Sequence, residues 1–209
     1  MNIAGNFQTE DEEIRVVKAY LKRNAIEYEK VWKHHDANAG DVMVLFPNKL
    51  YSLFEVKQES YKRFSKYGEY GIDFLSAFLF KAGVNEKAWQ TIHKPQKMND
   101  FLNAIDTDTK TLKLGKLAYS YSDVWLFYVK DESGEYTHLE CYDGRKIETK
   151  EFFDYLKKHC CFAVNKKTSK ELSHNDKFHS ATFFIKPEKL KNMRITKDNL
   201  CHNSYMNLF

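Results

Sequence analysis

Apolar positions near the start of the chain recur with the period of a helix. Ile14, Val17 and Leu21 lie three and four residues apart and follow a run of acidic residues. This spacing predicts a first helix with one apolar face. Thr9 is placed to cap the N-terminus of this helix, which should end near residues 23–24.

The pattern then changes to that of two paired strands. Residues 42–46 are Val-Met-Val-Leu-Phe, which is the composition of a buried strand, and residues 47–49 begin with proline and suit a turn. Residues 50–57 are predicted to return antiparallel to the first strand. A β-hairpin is therefore expected after the first helix.

The rest of the chain alternates strand and helix patterns. Residues 72–80 are mostly apolar, so their periodicity leaves strand and helix both open. The order of segments predicts an α/β or α+β fold, a mixed central β-sheet flanked by helices, and no linker that would divide residues 1–209 into two domains. Strands are predicted at 122–129, 136–142, 161–164 and 181–185, and a short helix at 151–158.

Composition excludes several classes of protein. The chain has 209 residues, of which 43% are hydrophobic, and its 16 Phe, 13 Tyr and 3 Trp can supply a core that argues against global disorder. No stretch approaches the ~20 apolar residues of a membrane span. The four cysteines include the adjacent pair Cys160 and Cys161, and the N-terminus carries no apolar leader. We therefore expect a reduced, intracellular and cytoplasmic protein.

Charged side chains cluster on the predicted hairpin. Asp41 opens its first strand, while Glu55 and Lys57 are two residues apart on the second and so share a face. An acid and a base within an apolar strand are unfavourable unless they are solvated, paired or bound to a metal. The hairpin can bring Asp41 to Glu55, and a divalent cation would relieve the repulsion between the two carboxylates.

The oxygen ligands of this pair favour a hard cation such as Mg²⁺ or Mn²⁺. A cation on two carboxylates with open water positions suits phosphoryl chemistry, because it polarises a phosphate oxygen and lowers the pKa of a bound water. Lys57 would then orient the nucleophile and stabilise the charge of the transition state. A solvated ion pair at a sheet edge is the alternative interpretation.

The arrangement resembles the PD-(D/E)XK nuclease superfamily, which has the restriction-endonuclease-like fold. The resemblance depends on Gly40-Asp41, the hairpin and Glu55-Val56-Lys57. Residues 65–74 and 121–128 are similar to segments of small phage and bacterial members of this superfamily. The similarity covers about residues 10–130, and residues 131–209 follow only the order of elements, completing the sheet and flanking helices of a single nuclease-like domain.

This resemblance implies a set of site residues. Asp41 and Glu55 would ligate the metal and Lys57 would be the catalytic lysine. The backbone carbonyl of Val56 would also reach the metal, and an acid on the first helix would complete the site. Glu13 is the preferred acid, with Glu10 and Glu12 as alternatives, and the role of Asp73 is left open.

A basic and aromatic segment follows the hairpin. Lys62, Arg63 and Lys66 alternate with aromatic residues, a pattern that suits phosphate contact and base stacking but also an amphipathic element with its aromatics in the core. The net charge of +4 permits a nucleic-acid partner without requiring one. The lysine-rich loop at 165–177 is a further candidate for backbone contact, or simply mobile surface.

Two other patterns have weaker functional interpretations. Cys160 and Cys161 follow His159, and Cys201 precedes His202, but neighbours on a strand point in opposite directions, so zinc is disfavoured. The residues at 34–36, His-His-Asp, lie close before Asp41, either at the edge of the site or in a polar loop.

The sequence therefore predicts a metal-dependent endonuclease that hydrolyses phosphodiester bonds, with DNA favoured as substrate and RNA left open. A double-strand cutter would be expected to form a homodimer. One alternative is a nucleic-acid-binding protein on the same fold that does not cleave. Another is a virus- or phage-encoded interaction protein in which Glu-x-Lys is incidental. No membrane partner is expected.

Overall fold

A computed structural model describes residues 4–34, 40–108, 112–118, 121–166 and 178–202. The fold is mixed α/β, with two β-sheets and several helices. The helices are α1 (Ala4–Arg23), α2 (Tyr61–Tyr67), α3 (Met98–Ala104), α4 (Gly144–Ile147), α5 (Lys150–His159) and α6 (Lys197–His202). The strands are β1 (Lys30–Lys33), β2 (Val42–Leu45), β3 (Tyr51–Glu59), β4 (Tyr70–Phe78), β5 (Ile92–His93), β6 (Lys113–Leu114), β7 (Val124–Lys130), β8 (Tyr136–Asp143), β9 (Cys161–Lys166) and β10 (His179–Ile185).

The chain forms two compact units, each built from separated segments. The first unit comprises Met1–Gly68, Ser120–Ile147 and Pro187–Phe209. The second comprises Glu69–Tyr119 and Glu148–Lys186. That residues 1–209 form one nuclease-like domain stays a prediction.

The first unit contains a five-stranded sheet in the order β1-β2-β3-β7-β8. Its strands are antiparallel except for β3 and β7, which run parallel, so the sheet is mixed as predicted. Val42 pairs with Phe54 in the predicted hairpin. The parallel contact joins Phe54 to Val124, which is 70 residues later in the chain, and this brings the second predicted hairpin beside the first.

Helix α1 covers one face of this sheet. Val16, Val17 and Leu21 are fully buried against the side chains of Phe54 and Val56, the face of β3 opposite Glu55 and Lys57. The alternation of strand residues therefore separates an apolar core face from the face that carries the charged pair, as the sequence predicts.

The second unit contains the other sheet, in the order β5-β9-β10-β4-β6. All its pairings are antiparallel. Strand β4 resolves the open interpretation of residues 72–80, and its Phe74 stacks on Phe183 of β10 with ring centroids 4.2 Å apart. Helix α5 begins where the Thr149 side chain accepts a hydrogen bond from the Phe152 N–H.

Two expectations need correction, and one strand was missed. Helix α1 begins at Ala4, so Thr9 lies within the helix rather than at its N-cap. Strand β1 was not expected, because four residues with lysine at both ends carry little apolar pattern. Strands β9 and β10 do not extend the sheet of the hairpin, because they pair with each other and with β4.

No helix in the described part of the chain is long and apolar enough to cross a membrane.

Candidate functional site

The site lies where the hairpin strands stop pairing. Gly40 adopts a φ of +71°, and a Cβ at this position would lie 3.0 Å from the carbonyl oxygen of Phe54. Only glycine combines this left-handed backbone with such a close approach. The turn brings the Asp41 N–H to 2.7 Å from the Phe54 carbonyl oxygen, so the backbone of Asp41 is anchored to β3.

The Asp41 carboxylate is held next to Glu55 by the backbone. Because Val42 pairs with Phe54, the residues just beyond this pair are Asp41 on one strand and Glu55 on the other. Asp41 Oδ2 accepts a hydrogen bond of 2.8 Å from the N–H of Val56. The hairpin thus places Asp41 at the Glu55 segment of β3, as predicted.

Glu55 and Lys57 form a close ion pair on the face of β3 away from α1. Lys57 Nζ lies 2.6 Å from Glu55 Oε1, and Glu55 is fully buried while Lys57 is 21% exposed. Lys57 Nζ also lies 5.6 Å from the centre of the Trp125 ring, which β7 places beside Glu55. The ammonium is therefore positioned by two groups and still reaches the surface.

Asp123 is a further carboxylate in this part of the sheet and, like Glu55, it is buried; the sequence predicts no role for it. It immediately precedes β7, where its N–H donates to the Leu53 carbonyl and its Oδ2 accepts from the Leu53 N–H at 2.9 Å. Its Oδ1 is buried without a hydrogen-bond partner among the described residues. Burial raises the pKa of Asp123 to about 6, against the lowering effect of the Leu53 N–H and of Arg145.

An acid just before a strand of apolar residues was the available signal for Asp123. The segment from Val124 to Val129 is buried throughout. A carboxylate at the edge of such a segment cannot remain solvated, so it must find backbone donors or shift its pKa. The identity of the donor, Leu53, depends on the parallel pairing of β3 with β7, which has no local sequence signature.

Two of the three candidate acids of α1 form ion pairs with lysines in the described residues. Glu13 forms an ion pair with Lys33 of β1. Glu12 Oε1 lies 2.6 Å from Lys130 Nζ and accepts a hydrogen bond of 3.0 Å from the Tyr136 hydroxyl. The side chain of Glu10 lies outside the described residues. Glu13 is thus paired with a residue of β1 that lies opposite Val42, next to Asp41, and its part in the metal site stays a prediction.

The remaining open residue, Asp73, lies in the second unit. It is an exposed residue of β4 and accepts a hydrogen bond from the Thr182 hydroxyl of β10. That contact gives Asp73 a role in pairing two strands.

The donor set suits a hard cation only in part. Asp41 and Glu55 supply carboxylate oxygens on neighbouring strands, which Mg²⁺ or Mn²⁺ prefers. Among the described residues, no group of three or more His, Cys, Asp or Glu side chains is arranged to hold a metal ion. A cation would therefore be held by the two carboxylates together with backbone oxygen, water or substrate, and the Val56 carbonyl stays the predicted backbone ligand.

Helix α2 divides the basic and aromatic segment between core and surface. Phe64 is buried and lies 4.4 Å from the His138 ring, so it serves packing. Tyr61 and Tyr67 are 41% and 45% exposed. The candidate phosphate-contact residues are Lys62 and Lys66, which are exposed, and Arg63, which is half-buried. The segment is therefore an amphipathic helix with Phe64 in the core, and phosphate contact by Lys62, Arg63 and Lys66 stays a prediction.

The zinc pattern finds no support in the described residues. Cys160 is buried and Cys161 half-buried at the start of β9, with no metal-ligating cluster around them. The side chains of Cys201 and His202, residues 35–36, and most of the loop at 165–177 lie outside the described residues. His34 is described, and its N–H donates to the Asp41 carbonyl at 3.0 Å, so it lies at the edge of the site.

Comparisons with known proteins found no match to the chain among protein-family models, curated proteins or solved structures. The chemistry of the site must therefore be inferred from its own geometry.

Proposed function

We propose that this protein is a metal-dependent nuclease with a restriction-endonuclease-like core, and that DNA is its preferred substrate. The observation that carries the proposal is the pair formed by Glu55 and Lys57, in which a fully buried carboxylate holds an ammonium that reaches the surface. Asp41 is fixed next to this pair by the Val56 N–H. Two acids and a lysine at one strand end are the groups that phosphodiester hydrolysis needs.

Each residue has a distinct role in the proposed reaction. Asp41 and Glu55 would hold Mg²⁺ or Mn²⁺, which polarises a phosphate oxygen and lowers the pKa of a bound water. Lys57 orients the attacking water and stabilises the additional negative charge on the phosphate. Water adds to phosphorus as the bond to the leaving oxygen breaks, and the leaving oxygen takes a proton, which yields a phosphate monoester and a hydroxyl group.

The ion pair also explains how Lys57 is kept in position before substrate binds. A lysine side chain has several rotatable bonds, and its ammonium would otherwise sample many positions. Glu55 and the face of the Trp125 ring restrict it to one region of the sheet. Such preorganisation lowers the cost of stabilising charge during the reaction.

A cleavage assay tests the proposal directly. Supercoiled plasmid, linear duplex, single-stranded DNA and RNA are incubated with the protein and Mg²⁺ or Mn²⁺. We expect cleavage of DNA that stops in EDTA and in the Asp41→Asn and Glu55→Gln variants. Glu12→Gln is the matched control, because Glu12 is also paired with a lysine at 2.6 Å. Activity in excess EDTA would overturn the proposed mechanism.

A nucleic-acid-binding protein that does not cleave is the second candidate. It is favoured by one observation, that no group of three or more metal-ligating side chains lies among the described residues. Titration with Mn²⁺ separates the two candidates. Binding of Mn²⁺ that is lost in Asp41→Asn supports the nuclease, whereas nucleic-acid binding without any Mn²⁺ binding supports the second candidate.

A further inference from the structure

The face of the first sheet that carries Glu55 also carries an unusual set of apolar side chains. In the pairing of β1, β2 and β3, Trp32 lies opposite Met43, which lies opposite Leu53. Opposed residues of antiparallel strands project to the same face. The next row on this face is Lys30, Leu45 and Tyr51. We call these six residues the aromatic platform.

Apart from Lys30, the platform residues are apolar or aromatic, and they are only partly buried. Trp32, Met43, Leu45 and Leu53 are half-buried, and Tyr51 is 40% exposed. On the opposite face of the same strands, Val42, Val44 and Phe54 are fully buried beneath α1. Antiparallel strands that cover a core with one face are normally polar on the other. Accessible aromatic and aliphatic surface on the second face therefore indicates a binding surface.

The chemistry of the platform favours a nucleic-acid base over an apolar peptide. The rings of Trp32 and Tyr51 lie 5.9 Å apart and perpendicular to each other. Lys30 Nζ lies 5.2 Å from the centre of the Trp32 ring. Flat aromatic surface next to a cation provides stacking for a base and charge for its phosphate. A purely apolar ligand would make no favourable electrostatic contact with the Lys30 ammonium.

The position of the platform connects it to the candidate site. Tyr51, Leu53, Glu55 and Lys57 alternate along β3 and so share one face. At about 3.3 Å per residue, Tyr51 and Glu55 are separated by about 13 Å along the strand. Because Lys57 Nζ reaches back to Glu55, a strand of nucleic acid with its phosphate at this pair would have a nearby nucleotide within reach of the Tyr51 ring.

We propose that the aromatic platform binds an unpaired base of the nucleic-acid strand next to the scissile phosphate. This inference depends on the proposed function for the location of the phosphate, and it narrows the substrate class to nucleic acid with unpaired nucleotides: single strands, flaps, or duplex ends that open. In a continuous duplex the paired bases stack on each other, so their flat faces are not accessible to the platform.

Binding without divalent metal tests this inference separately from cleavage. The anisotropy of a labelled single-stranded 12-mer and of the matching blunt duplex is measured in EDTA. For Tyr51→Ala we expect affinity for the single strand to fall about tenfold, since a base stacked on an aromatic ring contributes about 1–3 kcal/mol. Duplex affinity should change less than twofold. Tyr51→Trp keeps an aromatic face and should restore single-strand binding.

Two further variants control for folding and for location. Trp32→Leu removes the second ring of the platform and should weaken single-strand binding in the same way, with circular dichroism confirming that the variant is folded. Tyr155→Ala is the matched control, because Tyr155 is a half-buried tyrosine of α5 in the second unit that stacks on another ring. This control should leave both affinities unchanged.

The outcomes separate this inference from the proposed function. Metal-dependent cleavage together with unchanged single-strand affinity in Tyr51→Ala overturns the platform and leaves the nuclease standing. Single-strand binding that depends on Tyr51, without cleavage under any metal, supports the platform and overturns the nuclease. Equal losses for single strand and duplex, no single-strand binding at all, or a dimer that dissociates in Tyr51→Ala would each overturn the inference.

Discussion

Two lysine–glutamate pairs in the first unit have the same length and different surroundings. Lys57 lies 2.6 Å from Glu55, and Lys130 lies 2.6 Å from Glu12. The first pair lies within a single strand, two residues apart. The second joins β7 to α1, across more than 100 residues of chain. Glu55 is fully buried, whereas Glu12 is 18% exposed.

The difference indicates which pair serves the fold. Glu12 also accepts a hydrogen bond from the Tyr136 hydroxyl and lies 3.2 Å from Arg15, so several elements meet at one carboxylate. The pair of Glu55 and Lys57 lies within one strand, and Lys57 also contacts the Trp125 ring of β7. Burial of a carboxylate is unfavourable, and stability alone would favour an apolar residue at position 55. Under the proposed function, the chemistry of the site accounts for a buried acid beside a lysine at these positions.

The largest expected effect is a difference in cleavage rate between variants of Lys57 and Lys130. Lys57→Ala should reduce metal-dependent cleavage by about 10³-fold, because it removes the cation that stabilises charge on the phosphate. Lys130→Ala should leave the cleavage rate within about twofold. Both rates are measured on plasmid under the same Mg²⁺ concentration. Comparable losses in the two variants would show that Lys57 has no special role in the chemistry and that both losses come from reduced stability.

A second effect concerns Asp123, a buried carboxylate whose pKa is raised to about 6 by desolvation. The folded state therefore holds this proton more tightly than the unfolded chain, whose Asp pKa is about 3.8. The contribution of Asp123 to the free energy of unfolding is therefore most favourable below pH 3.8. It falls as the pH rises through about 6, by up to about 3 kcal/mol. Asp123→Asn cannot titrate and should lack this component.

Urea unfolding of both proteins at pH 4.5 and pH 7.5 measures the Asp123 effect. The free energy of unfolding of the wild type, relative to Asp123→Asn, should be lower at pH 7.5. Subtracting the variant removes the contribution of other titrating groups. The opposite slope would mean that the Asp123 carboxylate is stabilised in its charged form, which would contradict the effect of desolvation.

A smaller effect, a change in melting temperature on metal binding, should distinguish Glu55 from Glu12. A ligand at 100 times its dissociation constant stabilises a folded protein by about 2.7 kcal/mol. We expect Mn²⁺ to raise the melting temperature of the wild type and of Glu12→Gln by several degrees. Glu55→Gln should show no such rise. A shift retained in Glu55→Gln would place the cation at another site and would break the distinction between the pairs.

The hairpin and its charged residues could be predicted because their signals are local. A strand composition, a proline turn and a two-residue spacing suffice to place Glu55 and Lys57 on one face of β3. The predicted proximity of Asp41 follows from the same hairpin. What the sequence does not contain is the contact that holds Asp41, since the donor is the backbone N–H of Val56.

Non-local features could not be predicted in the same way. The partner of Asp123 depends on the pairing of β3 with β7, and the chain between them contributes β4, β5, β6 and α3 to the second unit. The chain passes between units next to Gly68 and Ile147, where no linker composition marks a boundary. The platform was missed because Trp32 lies on an unpredicted strand, and its contact with Tyr51 requires the register of three strands.

The smallest expected effect concerns exposed lysines that belong to neither pair. Lys62 and Lys66 of α2 are exposed and follow directly on β3, where a bound backbone would continue. Each lysine that neutralises a phosphate releases about one counterion, so its removal reduces the slope of log affinity against log salt by about 1. Lys62→Ala and Lys66→Ala should each show this change when DNA binding is measured at salt concentrations from about 50 to about 200 mM. At the highest salt concentration, each variant should bind DNA only about twofold more weakly than the wild type. Lys130→Ala should keep the wild-type slope, because Lys130 pairs with Glu12 of α1, on the face of the sheet opposite Lys57. A reduced slope in Lys130→Ala and none in the α2 variants would place the backbone on the α1 side of the sheet and remove the reason for assigning phosphate contact to the charged face of β3.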